Sequence, residues 1–291
     1  MTSRTLLLTC VAMLCFAANS LLCRLALAPD LIDPATFTSV RVAAACAMLV
    51  LVVGLKIRRL PYLRDAKLGS IAGLFGYLVF FSFAYVRLNA GTGALVLFGA
   101  VQLTMFAIAL REGEPFPPLA WLGLAIAVAG LVWLVLPGTS APDPLGALLM
   151  AASGMCWGLF SLLARGAKDP VENNATNFLG CLPPVLLLNV AFASEMHASP
   201  HGLALAIASG ALASGLGYVI WYFALAGLPA TRAATVQLSV PAIAALGGVI
   251  FLAEPVTLRL VIASAAMLGG IAIVLAQRSR APAAAPPPAS R

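Results

Sequence analysis

The sequence is short of charge. Only 9% of its 291 residues are Asp, Glu, Lys or Arg, while 62% are hydrophobic, and the mean hydropathy is +1.02. Soluble domains carry about 25% charged residues, so this chain cannot cover a water-facing surface, and a soluble oily domain is set aside. Carboxylates are scarcest in the places where buried chemistry needs them. The ten are Asp30, Asp33, Asp65, Glu112, Glu114, Asp143, Asp169, Glu172, Glu195 and Glu254, and none falls in the middle of an apolar run. That argues against a carboxylate proton relay and against an intramembrane enzyme, which needs a nucleophile and base, or carboxylates, at depth. The two histidines, His197 and His201, lie four apart in one loop with no third ligand, so no metal site is expected. There is no Cys-x-x-Cys. Cys10, Cys15, Cys23, Cys46, Cys156 and Cys181 all fall within apolar runs and read as small packing residues. No Walker loop is present, so no ATPase is built in, and no cofactor is expected. The net charge of +7 comes without a basic stripe interleaved with aromatics, which argues against nucleic acid as a partner.

What the chain has is apolar runs of membrane-spanning length. Ten are read, at residues 5–27, 34–55, 68–86, 91–110, 118–136, 144–163, 175–193, 203–226, 231–251 and 257–276. The first mimics a signal peptide but continues past Asn19 to Leu27, long enough to span, so it is read as retained. Proline punctuates the joints, and only Pro183, Pro184 and Pro241 fall inside spans, where they are expected to act as kinks or hinges. The loop after the second span holds Lys56, Arg58, Arg59, Arg64 and Lys67. With all joints counted, thirteen of the seventeen cations fall on the side of the termini, against Arg24, Arg87 and Arg259 on the other. The bias places both termini in the cytoplasm. The end, APAAAPPPASR, reads as a disordered tail.

The chain also repeats itself. From Cys15 to Arg24, a shift of 141 residues gives five identities: Cys15/Cys156, Ser20/Ser161, Leu21/Leu162, Leu22/Leu163 and Arg24/Arg165. GYLVFFSFAYVRLNAGTGA (76–94) resembles GYVIWYFALAGLPATRAA (217–234), and Glu-Pro recurs at Glu114 and Glu254. Residues 1–137 are therefore read as a first five-helix repeat, 138–277 as a second and 278–291 as the tail. Five is odd, so the second copy runs upside down, the inverted symmetry found in alternating-access transporters. The expected fold class is an all-α membrane protein of ten transmembrane helices in two inverted repeats. Small-residue spacings at Gly69/Gly73, Gly154/Gly158 and Ala213/Gly217 allow close helix approach in lipid.

These features resemble the drug/metabolite transporter superfamily, of the EamA type. The likeness rests on Trp157-Gly158 with its repeat-terminal Arg, Arg41 after PATFTSV, the paired GY runs, and VQLSVPAIAALGGVIFLAEPVT at 236–257; it covers about residues 5–276. The chain departs from the pattern at Phe16, where relatives often have Trp, and at Gln102, which stands about where the second copy has Pro241. The resemblance implies secondary export of small metabolites, often amino acids, across a bacterial inner membrane. Multidrug or other metabolite export within the same superfamily is the alternative. Because both halves lie in one chain, a monomer is expected to suffice.

A transporter site should lie near the midplane between the halves. The polar candidates there are Asn19, Gln102 and Gln237, each serving either as interhelical glue or as a ligand contact. The aromatic candidates are Tyr77 and Phe81 with their counterparts Tyr218 and Tyr222, together with Trp221, Trp157 and Phe98. They are either core packing or the lining of a cavity suited to apolar or aromatic ligands. Arg41 lies seven residues after Pro34, about 10 Å deep. It either snorkels outward or holds a substrate carboxylate. Arg24 is expected to be a boundary anchor. Glu114 and Glu254 are expected to cap the helices that follow them.

Overall fold

In the computed structural model, residues 2–57, 66–114, 116–138, 140–164 and 167–278 are described. The expected tail beyond Arg278, most of the cationic loop after the second span, Pro115 and Arg165 lie outside the described residues. The chain is an all-α, multi-pass membrane protein. Its helices are α1 Ser3–Leu27, α2 Pro34–Ile57, α3 Leu68–Tyr85, α4 Ala90–Arg111, α5 Pro118–Val135, α6 Pro144–Leu163, α7 Pro170–Ala191, α8 Pro200–Ile207, α9 Gly217–Leu225, α10 Ala230–Gln237, α11 Ser239–Leu252 and α12 Leu258–Arg278. A nine-residue π-helical segment, Ala208–Leu216, joins α8 to α9 into one span. α10 and α11 form another span, interrupted at Leu238.

Nine helical stretches among the described residues are long and apolar enough to cross a membrane. α7 makes the tenth span of the bundle. It falls short on hydropathy because Glu172, Asn173, Asn174 and Asn177 crowd its first half.

Several helices begin with the same device, a capping oxygen followed by proline at the first helical position. Asp33 precedes Pro34 and accepts from the Thr36 N–H at 2.8 Å. Asp143 precedes Pro144 and accepts from Gly146 at 2.7 Å. Asp169 precedes Pro170 and accepts from Val171 and Glu172, and Ser199 before Pro200 accepts from Gly202. The cap satisfies an orphan donor, and proline's fixed φ fits where its missing N–H does no harm. The break at Leu238 has the opposite cause. Pro241 has no N–H to give to the Gln237 carbonyl four residues back, so the helix restarts there.

The helix packing is reciprocal between the first five spans and the last five. α3 packs on α6, and α9 packs on α1. α4 packs on α6, and α11 on α1. α2 packs on the π segment, and α7 on α3. The pairs α5 with α12, α2 with α7 and α4 with α11 map onto themselves. Small residues set the closest approaches. A Cβ on Gly154 would stand 2.5 Å from the Leu97 carbonyl oxygen, so α6 lies directly on α4 there. All six cysteines are free thiols.

Candidate functional site

Midway along the bundle, α1 contributes Phe16, Asn19 and Ser20, α3 contributes Tyr77 and Phe81, and α4 contributes Leu97, Phe98 and Val101. Trp157 of α6, Ala213 and Ser214 of the π segment, Tyr218 of α9 and Gln237 of α10 complete the ring. They enclose a narrow cavity of about 20 Å³, room for one or two waters. A metabolite therefore requires the walls to part. The walls are aromatic and interlocked. The Trp157 ring lies 4.4 Å from Tyr77, edge to face, and stacks on Tyr218 at 5.3 Å. Phe16 lies 5.8 Å from Tyr218 and 6.5 Å from Trp157.

A polar network runs behind these rings. The Ser209 hydroxyl donates to Asn19 Oδ1 at 2.6 Å, and Asn19 Nδ2 donates to the Tyr77 hydroxyl at 3.4 Å. Arg41 donates to the same hydroxyl at 3.0 Å through Nη2 and to Ser214 Oγ at 3.2 Å through Nε. Its guanidinium carbon lies 4.8 Å from the Phe81 ring centre and 5.5 Å from that of Tyr77. The side chain is fully buried and Nη1 has no hydrogen-bond partner. Among the described residues no ion pair involves Arg41. Guanidinium stays charged at any physiological pH. A buried cation without a counter-charge is costly unless something else neutralises it.

Seven of the candidate residues read from the sequence line the cavity: Asn19, Tyr77, Phe81, Phe98, Trp157, Tyr218 and Gln237. Arg41 does not. It stands one layer behind, acting on the cavity through Tyr77 and Ser214. Trp221 packs edge-on against Phe16 at 5.9 Å, and Tyr222 stacks on Tyr218 at 6.4 Å, so both back the wall. Gln102 is buried in α4 and does not line the cavity. Of the three prolines, Pro241 sits at the α10–α11 break, whereas α7 continues as one helix through Pro183 and Pro184.

The serines of the π segment escaped the sequence reading, although the run ASGALASGLG was a signal of irregular helix. Two further buried amides, Asn174 and Asn177, are not among the candidates read from the sequence: Asn174 lies just before the expected seventh span and Asn177 in its first turn. Neither nitrogen nor oxygen of either amide has a hydrogen-bond partner.

At the Arg24 end of the bundle the expected anchor and cap turn out to be one clamp. Arg24 Nε meets Glu254 Oε1 at 3.3 Å, and its Nη1 donates to the Tyr85 and Val86 carbonyls at 3.0 Å each. Glu254 does not cap α12, which begins at Leu258 with Thr257 as its cap. It accepts the Ala90 N–H, at 2.8 Å to Oε2, and so caps α4. Burial pushes the Glu254 carboxyl above its ordinary pKa, opposed by the Ala90 N–H and Arg24. One carboxylate thus ties α1, α3, α4 and α11 together. At the opposite end Lys56 and Asp169 pair at 2.6 Å. Partial burial raises the Asp169 pKa, but the Lys56 ammonium and the backbone N–H groups of Glu172 and Val171 together outweigh it and hold the carboxyl below its ordinary value. Of the histidines, His197 bonds Asp30 at 3.1 Å, and among the described residues no group of three metal-ligating side chains occurs.

A sequence model described as the EamA-like transporter family matches residues 3–136 and again 144–276. An uncharacterized protein of Pseudomonas aeruginosa is 51% identical over 275 residues, 94% of this chain and 96% of that one. The threonine/homoserine exporter RhtA of Escherichia coli K12 is 31% identical over 229 residues, 73% of this chain and 72% of its own. A crystal structure of a protein 21% identical superposes with a TM-score of 0.69 over 97% of this chain and all of the other, which supports the fold.

Proposed function

The chain belongs to the EamA-like transporter family, and from that premise we propose that it exports neutral amino acids by alternating access. The observation that carries the reading is Arg41: fully buried, without a carboxylate partner among the described residues, and bonded to two residues of the cavity wall. A substrate carboxylate is the missing counter-charge. The rings of Trp157, Tyr218 and Phe16 offer faces to the ammonium and to an apolar or aromatic side chain. A second reading favours small hydroxylated amino acids. The cavity is narrow and carries Asn19, Ser20, Ser214 and Gln237, and a related exporter is named for threonine and homoserine.

The mechanism proposed is an exchange of conformations between two inverted halves, residues 1–137 and 138–277. The two separate family matches and the reciprocal helix packing support it. In this state the Arg24–Glu254 clamp holds the outer end shut. In the sequence repeat, Arg165 and Glu114 correspond to Arg24 and Glu254. The protein is read as a monomer of the bacterial inner membrane with both termini cytoplasmic. With no carboxylate at mid-depth, it is read as passing substrate down its gradient.

Purified protein in liposomes, assayed by counterflow of labelled L-threonine, homoserine and L-phenylalanine, tests the function. Saturable exchange of at least one is expected. No exchange of any neutral amino acid would overturn the reading.

A further inference from the structure

Helix α7 carries two side chains that the site above does not use. Asn174 and Asn177 are 0% and 1% exposed, and all four of their amide atoms lack partners. An unpaired buried amide is destabilising, so a helix needing only to pack would carry leucine there. The two lie one turn apart on the face of α7 that also bears Phe178 and Cys181. Cys181 Sγ reaches the Ile71 carbonyl of α3, and the Phe178 ring lies 6.3 Å from Tyr218 in the cavity wall. α7 runs antiparallel to α2, with Ser39 bonded to Val185 at one end and Lys56 to Asp169 at the other. Arg41 is thus near the Val185 level, and Asn177 lies about 10 Å away toward Asp169, at 1.5 Å per residue.

The capping device fixes a second relation. Asp33-Pro34 and Asp169-Pro170 start α2 and α7 alike, and aligning these starts puts Asn177 opposite Arg41 and Asn174 opposite Thr38, also fully buried. Where the first half holds a charge, the second holds amides.

We propose that Asn174 and Asn177 form a second, charge-neutral station for the α-amino and α-carboxyl groups of the transported amino acid, on the Asp169 side of the cavity. Two amide oxygens accept from the ammonium and two amide nitrogens donate to the carboxylate, so the pair matches a zwitterion without adding charge. Phe178, on the same face of α7, touches Tyr218 of the cavity wall, and Arg41 takes the carboxylate on the far side. The inference rests on the amino-acid transport reading.

The test replaces both residues, Asn174→Leu with Asn177→Leu, in the full-length protein, and measures counterflow of labelled L-threonine and L-phenylalanine beside thermal unfolding. Leucine is close in size and removes the unpaired atoms. A Tm equal to or above wild type, with kcat/KM reduced about tenfold or more, supports the station. Undiminished transport at any Tm overturns it, since the amides then only pack or hold water. So does a loss of transport matched by a loss of stability. Should the double variant not fold, Asn177→Ala read by the rise in Tm on adding the amino acid decides: a lost rise supports the station, an undiminished one overturns it. A wild-type protein that exchanges neither amino acid removes the transport reading, and this inference with it.

Discussion

The first five spans and the last five place their polar groups and their irregular backbone differently. In α1–α5 each span is one unbroken helix, and among the described residues its buried polar side chains include one cation, Arg41, beside neutral ones such as Asn19 and Gln102. In α6–α12 the span corresponding to α3 passes through the π segment and the one corresponding to α4 breaks at Leu238, while the buried polar groups are neutral: Asn174, Asn177, Ser209 and Ser214. The regular half fixes the charge. The irregular half supplies one of the two hydroxyls that hold it, Ser214 beside Tyr77 of α3, and the backbone able to rearrange around it, since π turns and proline breaks leave carbonyls free to change partners.

The largest expected effect comes from erasing the charge. Arg41→Met should lower kcat/KM for amino-acid counterflow about a hundredfold, while unfolding temperature holds or rises, because an uncompensated buried cation is gone. Arg41→Lys should not restore transport, as an ammonium lacks the planar fork whose separate nitrogens reach Tyr77 and Ser214 and leave Nη1 for a carboxylate. Next is the contact between the halves. A Cβ on Gly210 would collide with the Arg41 carbonyl oxygen, so Gly210→Ala should lower stability by about 1–3 kcal/mol, read by thermal unfolding, with transport falling alongside.

Making the halves alike should act more mildly. Pro241→Ala returns an N–H to the Gln237 carbonyl and favours one continuous helix through Leu238. We expect stability unchanged or slightly higher and counterflow several-fold slower. Glu254→Gln keeps an acceptor for Ala90 but loses the ion pair with Arg24, whose side chains are 18% and 11% exposed. A stability loss of about 1 kcal/mol is expected, with easier cysteine labelling near Ala90. The smallest effect is at His197. Its pKa is raised, first by its bond to the Glu195 carbonyl and also by Asp30. Its contribution is therefore complete below the ordinary histidine value and disappears as pH rises through the raised one. Proteolysis of the 193–199 loop should quicken over that interval, and His197→Gln should remove the dependence.

The sequence made the spans legible because composition dictates them: an apolar run of about 20 residues has no alternative in lipid but a helix. Tyr77, Tyr218, Trp157 and Asn19 could be placed at the site because they are polar or amphipathic groups at depth, in positions related by the repeat. Arg41 was visible, but its standing behind Tyr77 was not, since that depends on the rotation of α2 against the π segment. Glu254 was read as a local cap because its true partner, Ala90, is 164 residues away. Asn174 and Asn177 were hidden for a related reason. The polar run around them shortened the apparent span, so Asn174 fell outside it and Asn177 stood in its first turn, where an amide does not stand out from the polar residues before it.

The central claim is that Arg41 supplies the counter-charge for a substrate carboxylate. Competition of labelled L-threonine counterflow by unlabelled L-phenylalanine and by L-phenylalaninamide, which lacks the carboxylate, tests it in wild type and Arg41→Met. The account predicts that the acid competes with wild-type transport and the amide does not, and that Arg41→Met loses this preference. Equal competition by acid and amide in the wild type would contradict it.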